Sequence, residues 1–176
     1  MDYAVLLHFD PTTEARLQTD IDRLAAAGIN PAFKDMGMRP HLTITTFSAP
    51  DISLVQRVLA LAARKWQPFP IRLASVGLFP VEPGVLFYAP IVEETLLSVH
   101  RELHESMGAY CNEFSPLYQE DNWVAHCTLA LDLSVPEMMK GIEVLSKGFE
   151  PVEARFSELT VIACCPYRGI ATFPLI

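Results

Sequence analysis

Apolar residues follow two patterns along the chain, short continuous runs and stretches with a helical spacing. The run Tyr3–Phe9 predicts a buried strand, and Asp10 followed by Pro11 supplies the cap and the first turn of a helix. Apolar residues then recur every three or four positions as far as Gly28, which predicts an amphipathic helix. The same two patterns predict a strand over 40–47, a helix over 51–65, a strand over 69–79 and a turn over 80–84.

The order of elements restarts at Val85. The patterns predict a strand over 85–91, a helix over 92–110, a strand over 123–131, a helix over 136–147, a strand over 157–165 and a last short strand ending at Ile176. Equivalent positions of the two halves lie 82, 85 and 88 residues apart, which predicts an internal duplication. We expect a single domain over 1–176, with lobes of approximately 1–84 and 85–176 that can exchange strands. The predicted fold class is α+β, duplicated and bilobal, with two largely antiparallel sheets flanked by helices and a pseudo-twofold central cleft.

Each half contains the motif His-x-Thr inside a predicted strand, as His41 and Thr43 in the first half and His126 and Thr128 in the second. Side chains two positions apart in a strand lie on one face, about 6.6–7 Å from each other. The alternation therefore predicts one polar face in each strand, continued by Thr45 in the first half. A single such motif is typical of a structural strand histidine, but the repeated pair in matching contexts favours one cleft with two imidazoles.

Two histidines on opposite sides of a cleft are suited to proton transfer. An imidazole titrates near neutral pH, so one ring can act as a base while the other acts as an acid. Phosphodiester cleavage needs this combination, because water or a hydroxyl must lose a proton while the leaving oxygen gains one. The threonine hydroxyls can donate to the phosphate oxygens. The scheme requires no metal and no other cofactor.

Composition limits the substrates and the location that we expect. The chain is 51% hydrophobic with a mean hydropathy of +0.24, which excludes disorder, and its formal net charge is −8. This charge argues against a long nucleic acid held by a basic surface. No apolar run reaches the length of a membrane span, and the first residues lack a basic signal-peptide region. We expect a cytoplasmic monomer without a membrane partner, whose four cysteines are reduced and mostly buried.

The motifs and their surroundings resemble those of a known family. The frames PHLTI and AHCTLAL, the opening YAVLLHF-DP and the middle segment SVGLFPVEPGVLFYAP are similar to the 2H phosphoesterase superfamily, specifically its 2′-5′ RNA ligase and cyclic phosphodiesterase type. The resemblance covers nearly the whole chain. It implies catalysis by His41 and His126, phosphate contacts from Thr43 and Thr128, and no metal cofactor. It also implies 2′,3′-cyclic phosphates or 2′-5′ linkages of nucleotides or RNA ends as substrates.

The chain departs from that family after its second motif. RNA ligase-like members often carry an arginine there, whereas this sequence continues with Ala130, Leu131 and Asp132. Candidate replacements that would bind substrate are Arg39 and Arg168. Tyr88 and Phe79 on the central hairpin are candidates for stacking on a base.

Three further interpretations of the sequence stay open. The first is a non-catalytic nucleotide- or phosphate-binding module with the same fold. The second is a metal site on His100 and His104, whose i, i+4 spacing on a helix suits zinc although no third ligand is evident; the same spacing also fits packing at the edge of the apolar face. The third is a Cys127 and His126 nucleophile pair, which strand alternation disfavours because the two side chains point to opposite faces.

Overall fold

The computed structural model describes all 176 residues, and its elements follow the predicted order closely. The strands are β1 (Tyr3–Phe9), β2 (His41–Ser48), β3 (Phe69–Phe79), β4 (Gly84–Pro90), β5 (Glu113–Phe114), β6 (Cys127–Leu133), β7 (Val152–Cys164) and β8 (Tyr167–Pro174). The helices are α1 (Pro11–Ala26), α2 (Ala32–Asp35), α3 (Ile52–Ala63), α4 (Glu94–Met107) and α5 (Val135–Ser146), with a 3₁₀ helix at Pro116–Tyr118.

Polar side chains set the first residues of the helices. The Asp10 carboxylate accepts from the Thr12 and Thr13 backbone N–H groups at 3.0 and 3.1 Å and caps α1, as the sequence predicts. Ser134 and Glu137 form a reciprocal capping box at the start of α5. Gly28 has a φ of 78° just after α1, a left-handed conformation that favours glycine at a helix end.

The strands form one hydrogen-bonded antiparallel path, which confirms the α+β fold class. Their order is β5-β2-β1-β7-β3-β4-β6, and β8 pairs with β7 outside this path. The two predicted sheets are joined because β7 is long enough to pair with β1, β3 and β8. Strands of the two halves are therefore interleaved at the centre of the sheet, where β7 of the second half lies between β1 and β3 of the first half.

The central part of this order reads the same from either end. If β2 corresponds to β6, β1 to β4 and β7 to β3, the path β2-β1-β7-β3-β4-β6 is its own reverse. These are the strand correspondences that the 82-, 85- and 88-residue offsets predict. The order is the one that two twofold-related units would produce, while the duplication itself stays a prediction.

The sheet has two different faces. The face under the helices holds the main core of 37 buried residues, and the opposite face holds a small cluster of Ala4, Leu6 and Ile162. The sheet curves so that β2 and β6, near the two ends of the path, come into contact with each other. This curvature brings together β2, which begins at His41, and β6, which begins directly after His126.

A buried carboxylate ties α1 to the sheet. Asp20 is 0% exposed and accepts hydrogen bonds from Arg16, from Arg23 at 2.8 Å and from the Tyr88 hydroxyl at 2.8 Å. Arg23 also donates to the carbonyl of Val144 at 3.1 Å. The network therefore connects α1, β4 and α5 behind the sheet.

Several local expectations are wrong. The strand predicted over 123–131 begins only at Cys127, because its partner β4 ends at Pro90, which has no N–H to continue the ladder. The helix predicted over 92–110 spans Glu94–Met107, and the short elements α2 and β5 have no periodic signal. The cysteines are all free, but only Cys127 is buried.

None of the α-helices has the length and the apolar character of a membrane span.

Candidate active site

His41 is the first residue of β2 and is almost fully buried, with 7% of its surface exposed. Its Nδ1 atom lies 2.8 Å from the carbonyl oxygen of Arg39. Because a carbonyl oxygen only accepts, Nδ1 is the protonated nitrogen of the neutral ring. The Nε2 atom is then free to accept a proton.

His126 has the same arrangement in the second half. It directly precedes β6, it is half-buried, and its Nδ1 atom donates to the carbonyl oxygen of Val124 at 2.7 Å. In both motifs the residue two positions before the histidine therefore holds the ring and fixes its tautomer. The two Nε2 atoms are left as matched proton acceptors.

Burial lowers the pKa values of both imidazoles. Burial and, to a smaller extent, the charge of His126 lower the pKa of His41 to about 4. Burial also lowers the pKa of His126 from its usual value of 6.5. Both rings are therefore neutral in the free protein at pH 7, with His126 the more exposed of the two.

A β-bulge follows the threonine in each motif. Leu6 and Val5 of β1 pair with Thr43 and Thr45, so that Ile44 is an extra residue in β2. In the second half Phe87 and Leu86 of β4 pair with Thr128 and Ala130, so that Leu129 is the extra residue in β6. Thr43 and Thr128 stay half-exposed.

The bulges overturn the expected continuation of each polar face. Thr45 is 0% exposed and pairs with the core residue Val5, so it does not lie with His41 and Thr43. Ala130 is likewise buried in the core. Strand alternation predicts the face of the first threonine correctly and fails after the extra residue.

A cavity of about 390 Å³ adjoins His126. Its lining consists of Phe79, Val81, Val85, Leu117, Tyr118, Asn122, Val124 and His126. The rings of Phe79 and Phe87 pack against the imidazole at centroid distances of 4.9 and 5.2 Å, and against each other at 4.6 Å. Phe87 needs the absence of a side chain at Gly77, where an added Cβ would lie 2.3 Å from the ring. The cavity is apolar, and neither lysine nor arginine lines it.

The loop before His126 contributes residues that sequence reasoning missed. The Trp123 indole N–H donates to the Thr43 carbonyl at 3.0 Å, which links the loop before the second motif to the first motif. His100 stacks on Trp123 at 4.1 Å and donates from Nε2 to the Tyr118 carbonyl at 2.9 Å. Periodicity gives no signal for these contacts, because they join a loop to distant elements.

Tyr88 is wrongly predicted as a residue that stacks on substrate. Its side chain is 1% exposed and its hydroxyl donates to Asp20 on the helix side of the sheet. The reason is strand alternation: Tyr88 pairs with the buried Cys127, whereas Phe87 pairs with Thr128 and reaches His126. Phe79, named with Tyr88, does lie in the cavity.

The two candidate arginines occupy different surroundings. Arg39 precedes β2 and its guanidinium is bound by the carboxylates of Glu14 and Glu158, both at 2.8 Å. Its neighbour Pro40 accepts from Nδ1 of the buried His8, whose ring lies 5.8 Å from that of His41. Arg39 thus takes part in an ion-pair network behind His41. Arg168 is exposed on β8, with no ion pair.

The remaining histidines and Cys127 are explained by packing. His100 is 2% exposed and packs in the core under Trp123 rather than at the edge of the apolar face, and its ring lies 4.5 Å from that of His104. No group of three or more His, Cys, Asp or Glu side chains that could hold a metal ion occurs. Cys127 is 0% exposed on the face opposite the cavity, and burial raises its pKa to about 12, so it is no thiolate nucleophile.

Comparison with known proteins gives one family. The sequence model described as the 2′-5′ RNA ligase superfamily matches residues 10–163. A search of curated protein sequences finds no significant match.

Solved structures with the same fold cover nearly the whole chain. TT0787 of Thermus thermophilus is 15% identical with a TM-score of 0.63, covering 99% of this chain and 98% of its own. Escherichia coli LigT complexed with 3′-AMP is 15% identical with a TM-score of 0.61, over 99% of this chain and 97% of its own. The same protein complexed with phosphate gives a TM-score of 0.56 at 15% identity, over 99% and 96%.

Proposed function

Because this chain belongs to the 2′-5′ RNA ligase superfamily, we propose that it is a metal-independent phosphodiesterase that opens 2′,3′-cyclic phosphates or 2′-5′ linkages of small nucleotides or RNA ends. The superfamily gives the class of chemistry. The individual residues, the reaction catalysed and the substrate are our proposal.

The observation that carries the proposal is the matched state of the two imidazoles. Each histidine donates from Nδ1 to the carbonyl two residues earlier, which leaves Nε2 free, and each is followed two positions later by a half-exposed threonine. The two motif strands touch across the curved sheet. A single phosphate between them would meet a base, an acid and two hydroxyl donors at once.

Hydrolysis of a cyclic phosphate then proceeds by one proton transfer at each end of the reacting phosphorus. Nε2 of His41 takes a proton from water as the water oxygen bonds to phosphorus. The bond from phosphorus to one ribose oxygen breaks, and protonated His126 gives its Nε2 proton to that oxygen. The product is a phosphomonoester, and exchange with solvent returns both rings to their starting protonation states.

Burial supports this division of roles. His41 is the more buried ring and its pKa of about 4 keeps it unprotonated, as a base must be. His126 is half-exposed beside the cavity, so it takes up a proton more readily, and the anionic substrate favours its charged form. Thr43 and Thr128 donate to the non-bridging oxygens, whose charge grows in the transition state.

The substrate class is inferred from the cavity and the charge. The cavity next to His126 is apolar and large enough for one planar group, and it contains no cation for further phosphates. The LigT structure with 3′-AMP supports a nucleotide as the bound group. We propose that one phosphodiester and one attached nucleoside are recognised.

Turnover of nucleoside 2′,3′-cyclic phosphates tests the proposal directly. The purified protein is incubated with the four common nucleoside cyclic phosphates and a 2′-5′ dinucleotide, with and without excess chelator, and products are separated by chromatography. We expect hydrolysis that survives chelation. Tight binding of nucleotide without turnover would instead identify a non-catalytic binding module, and activity restored only by Mn²⁺ or Zn²⁺ would identify a metal-dependent enzyme.

The pH profile is expected to be bell-shaped and displaced to acid. kcat/KM should fall below about pH 4, where His41 becomes protonated, and should fall again above a pH that lies below 6.5, where His126 loses its proton. The upper limb of kcat should lie at higher pH than that of kcat/KM, because bound phosphate stabilises the His126 cation. A value of kcat/KM that still rises above pH 7 would contradict these roles.

Folding has to be followed in the same experiment. Burial lowers the pKa of His8 to about 3 and that of His104 to about 4, so the unfolded chain binds more protons than the folded one below pH 6.5. Stability therefore declines as the pH falls from 6.5 through these folded-state values. Circular dichroism at each pH separates acid unfolding from loss of a catalytic group.

A mononucleotide should be nearly as good a substrate as a long RNA with the same cyclic end. Seven of the 13 lysines and arginines are held in salt bridges, and the net charge of −8 repels a polyanion. We expect the two kcat/KM values to agree within about tenfold, with a salt slope of about one to two because few phosphates are neutralised.

The measurement compares both substrates between low and high salt. A preference of about a hundredfold or more for the long RNA that collapses with salt would mean that a basic surface assembles around the cleft. Arg168→Gln provides a further comparison, because this exposed arginine is free of ion pairs. A decrease in kcat/KM that is restricted to the long RNA would mean that Arg168 contacts the RNA beyond the reacting phosphate.

A further inference from the structure

Tyr118 is the one titratable residue besides His126 in the lining of the apolar cavity. It ends the 3₁₀ helix Pro116–Tyr118, which packs against β2, the strand that carries His41 and Thr43. Tyr118 therefore lies near both motifs, beside His126 in the cavity and next to the strand of His41 and Thr43. The mechanism proposed above assigns no role to Tyr118.

The backbone of Tyr118 is fixed from two directions. Its carbonyl accepts from Nε2 of His100 at 2.9 Å, and its N–H donates to the carbonyl of Ser115 at 3.1 Å. Further along the loop, Trp123 donates to the Thr43 carbonyl and Asn122 donates to the Pro116 carbonyl. The tyrosine ring thus projects from a loop that is bonded to the motif strand.

The side chain of Tyr118 lies close enough to that of Thr43 to be affected by it. Burial raises the pKa of the Tyr118 phenol, and the smaller effect of Thr43 is to lower it. The phenol consequently keeps its proton at neutral pH and is a hydrogen-bond donor there. Both hydroxyls can point toward a common acceptor.

We propose that Tyr118 is a further catalytic residue, whose O–H donates to a non-bridging oxygen of the reacting phosphate beside Thr43 and Thr128. This role rests on the proposed phosphodiesterase function. The non-bridging oxygens gain charge in the transition state, and no lysine or arginine lines the cavity to compensate for it. The hydroxyls of Thr43, Thr128 and Tyr118 are three neutral donors that stabilise this charge. No proton is transferred from Tyr118, so the atoms of the reaction balance without it.

Tyr118→Phe removes the hydroxyl and keeps the ring and the loop. We expect kcat for a nucleoside 2′,3′-cyclic phosphate to fall by about 10²-fold, as for the loss of one donor to a transition-state oxyanion, with KM changed by less than about threefold. Inhibition by vanadate, which mimics the five-coordinate phosphorus, should weaken far more than inhibition by inorganic phosphate. The matched control is Tyr110→Phe, an exposed tyrosine beside Lys65 on the helix side.

The outcomes separate this role from the function on which it rests. Wild-type turnover together with a Tyr118→Phe kcat within about threefold of wild type would overturn the role of Tyr118 and leave the phosphodiesterase intact. Equal weakening of kcat, phosphate binding and thermal stability would identify a structural tyrosine and would also overturn it. Absence of wild-type turnover on any cyclic phosphate would overturn the proposed function itself.

Discussion

Replacing His126 with alanine is expected to lower kcat for a nucleoside 2′,3′-cyclic phosphate by about 10²–10⁴-fold, and His41→Ala should cost a similar factor. The reason is that each variant lacks one of the two proton transfers, while the threonine donors and the cavity remain. The double variant should lose much less than the product of the two single losses, because the rings act as a unit. Initial rates at saturating substrate measure all three effects.

Chemical rescue provides the control for this expectation. His126 adjoins the cavity of about 390 Å³, so added imidazole can enter the space left in His126→Ala and restore part of the rate. His41 is 7% exposed, so imidazole should not rescue His41→Ala. His41→Gln and His126→Gln, which keep a polar group, show whether a loss comes from folding. Turnover by His126→Ala within tenfold of wild type would end the proposed acid role.

The motif pair could be predicted because it depends on local periodicity. His-x-Thr places two side chains on one strand face, and the structure keeps Thr43 and Thr128 half-exposed in both halves. The elements around the motifs have strong signals as well, such as the Asp10 cap and the apolar run of β1. The bounds of β1 and α1 agree with the sequence pattern to within a few residues.

The bulge after each motif threonine could not be predicted from periodicity. Ile44 and Leu129 are extra residues in their strands, and each lies one position after the threonine. A bulge leaves no signature in composition, since both residues are ordinary apolar residues of a strand. Its recurrence at the same position of both motifs is a structural likeness between the halves that the sequence pattern does not contain.

Long-range contacts complete the site, and these lie outside sequence reasoning. Trp123 and His100 hold the loop that carries Tyr118, through hydrogen bonds to carbonyls of β2 and of the loop itself. The i, i+4 spacing of His100 and His104 fits either a metal site or packing at the edge of the apolar face, whereas His100 is buried and supports the loop next to the motif strands. A helix face specifies spacing but does not specify the partner against which it packs.

Asp20→Ala should have the largest effect on stability among changes distant from the site. The carboxylate is 0% exposed and accepts from Arg16, Arg23 and the Tyr88 hydroxyl, so its removal leaves a buried phenol without its acceptor and frees two arginine side chains that are each 41% exposed. Because the arginines can be hydrated and the phenol cannot, we expect a loss of about 3 kcal/mol in the free energy of unfolding. For a chain of this length that corresponds to a lower Tm by about 6–12 °C.

Denaturant and thermal unfolding of three variants test this expectation. Tyr88→Phe removes the phenol hydroxyl together with its hydrogen bond to Asp20, so no buried donor is left unsatisfied and the loss of stability should be smaller than for Asp20→Ala. The double variant should lose less stability than the sum of the two single variants, because they share this hydrogen bond. The matched control is Asp22→Ala on the same helix, where the carboxylate is exposed and pairs with Lys34, so its midpoint should stay unchanged. Equal midpoints for Asp20→Ala and Asp22→Ala would mean that water replaces the network and that packing of α1 alone holds the helix on the sheet.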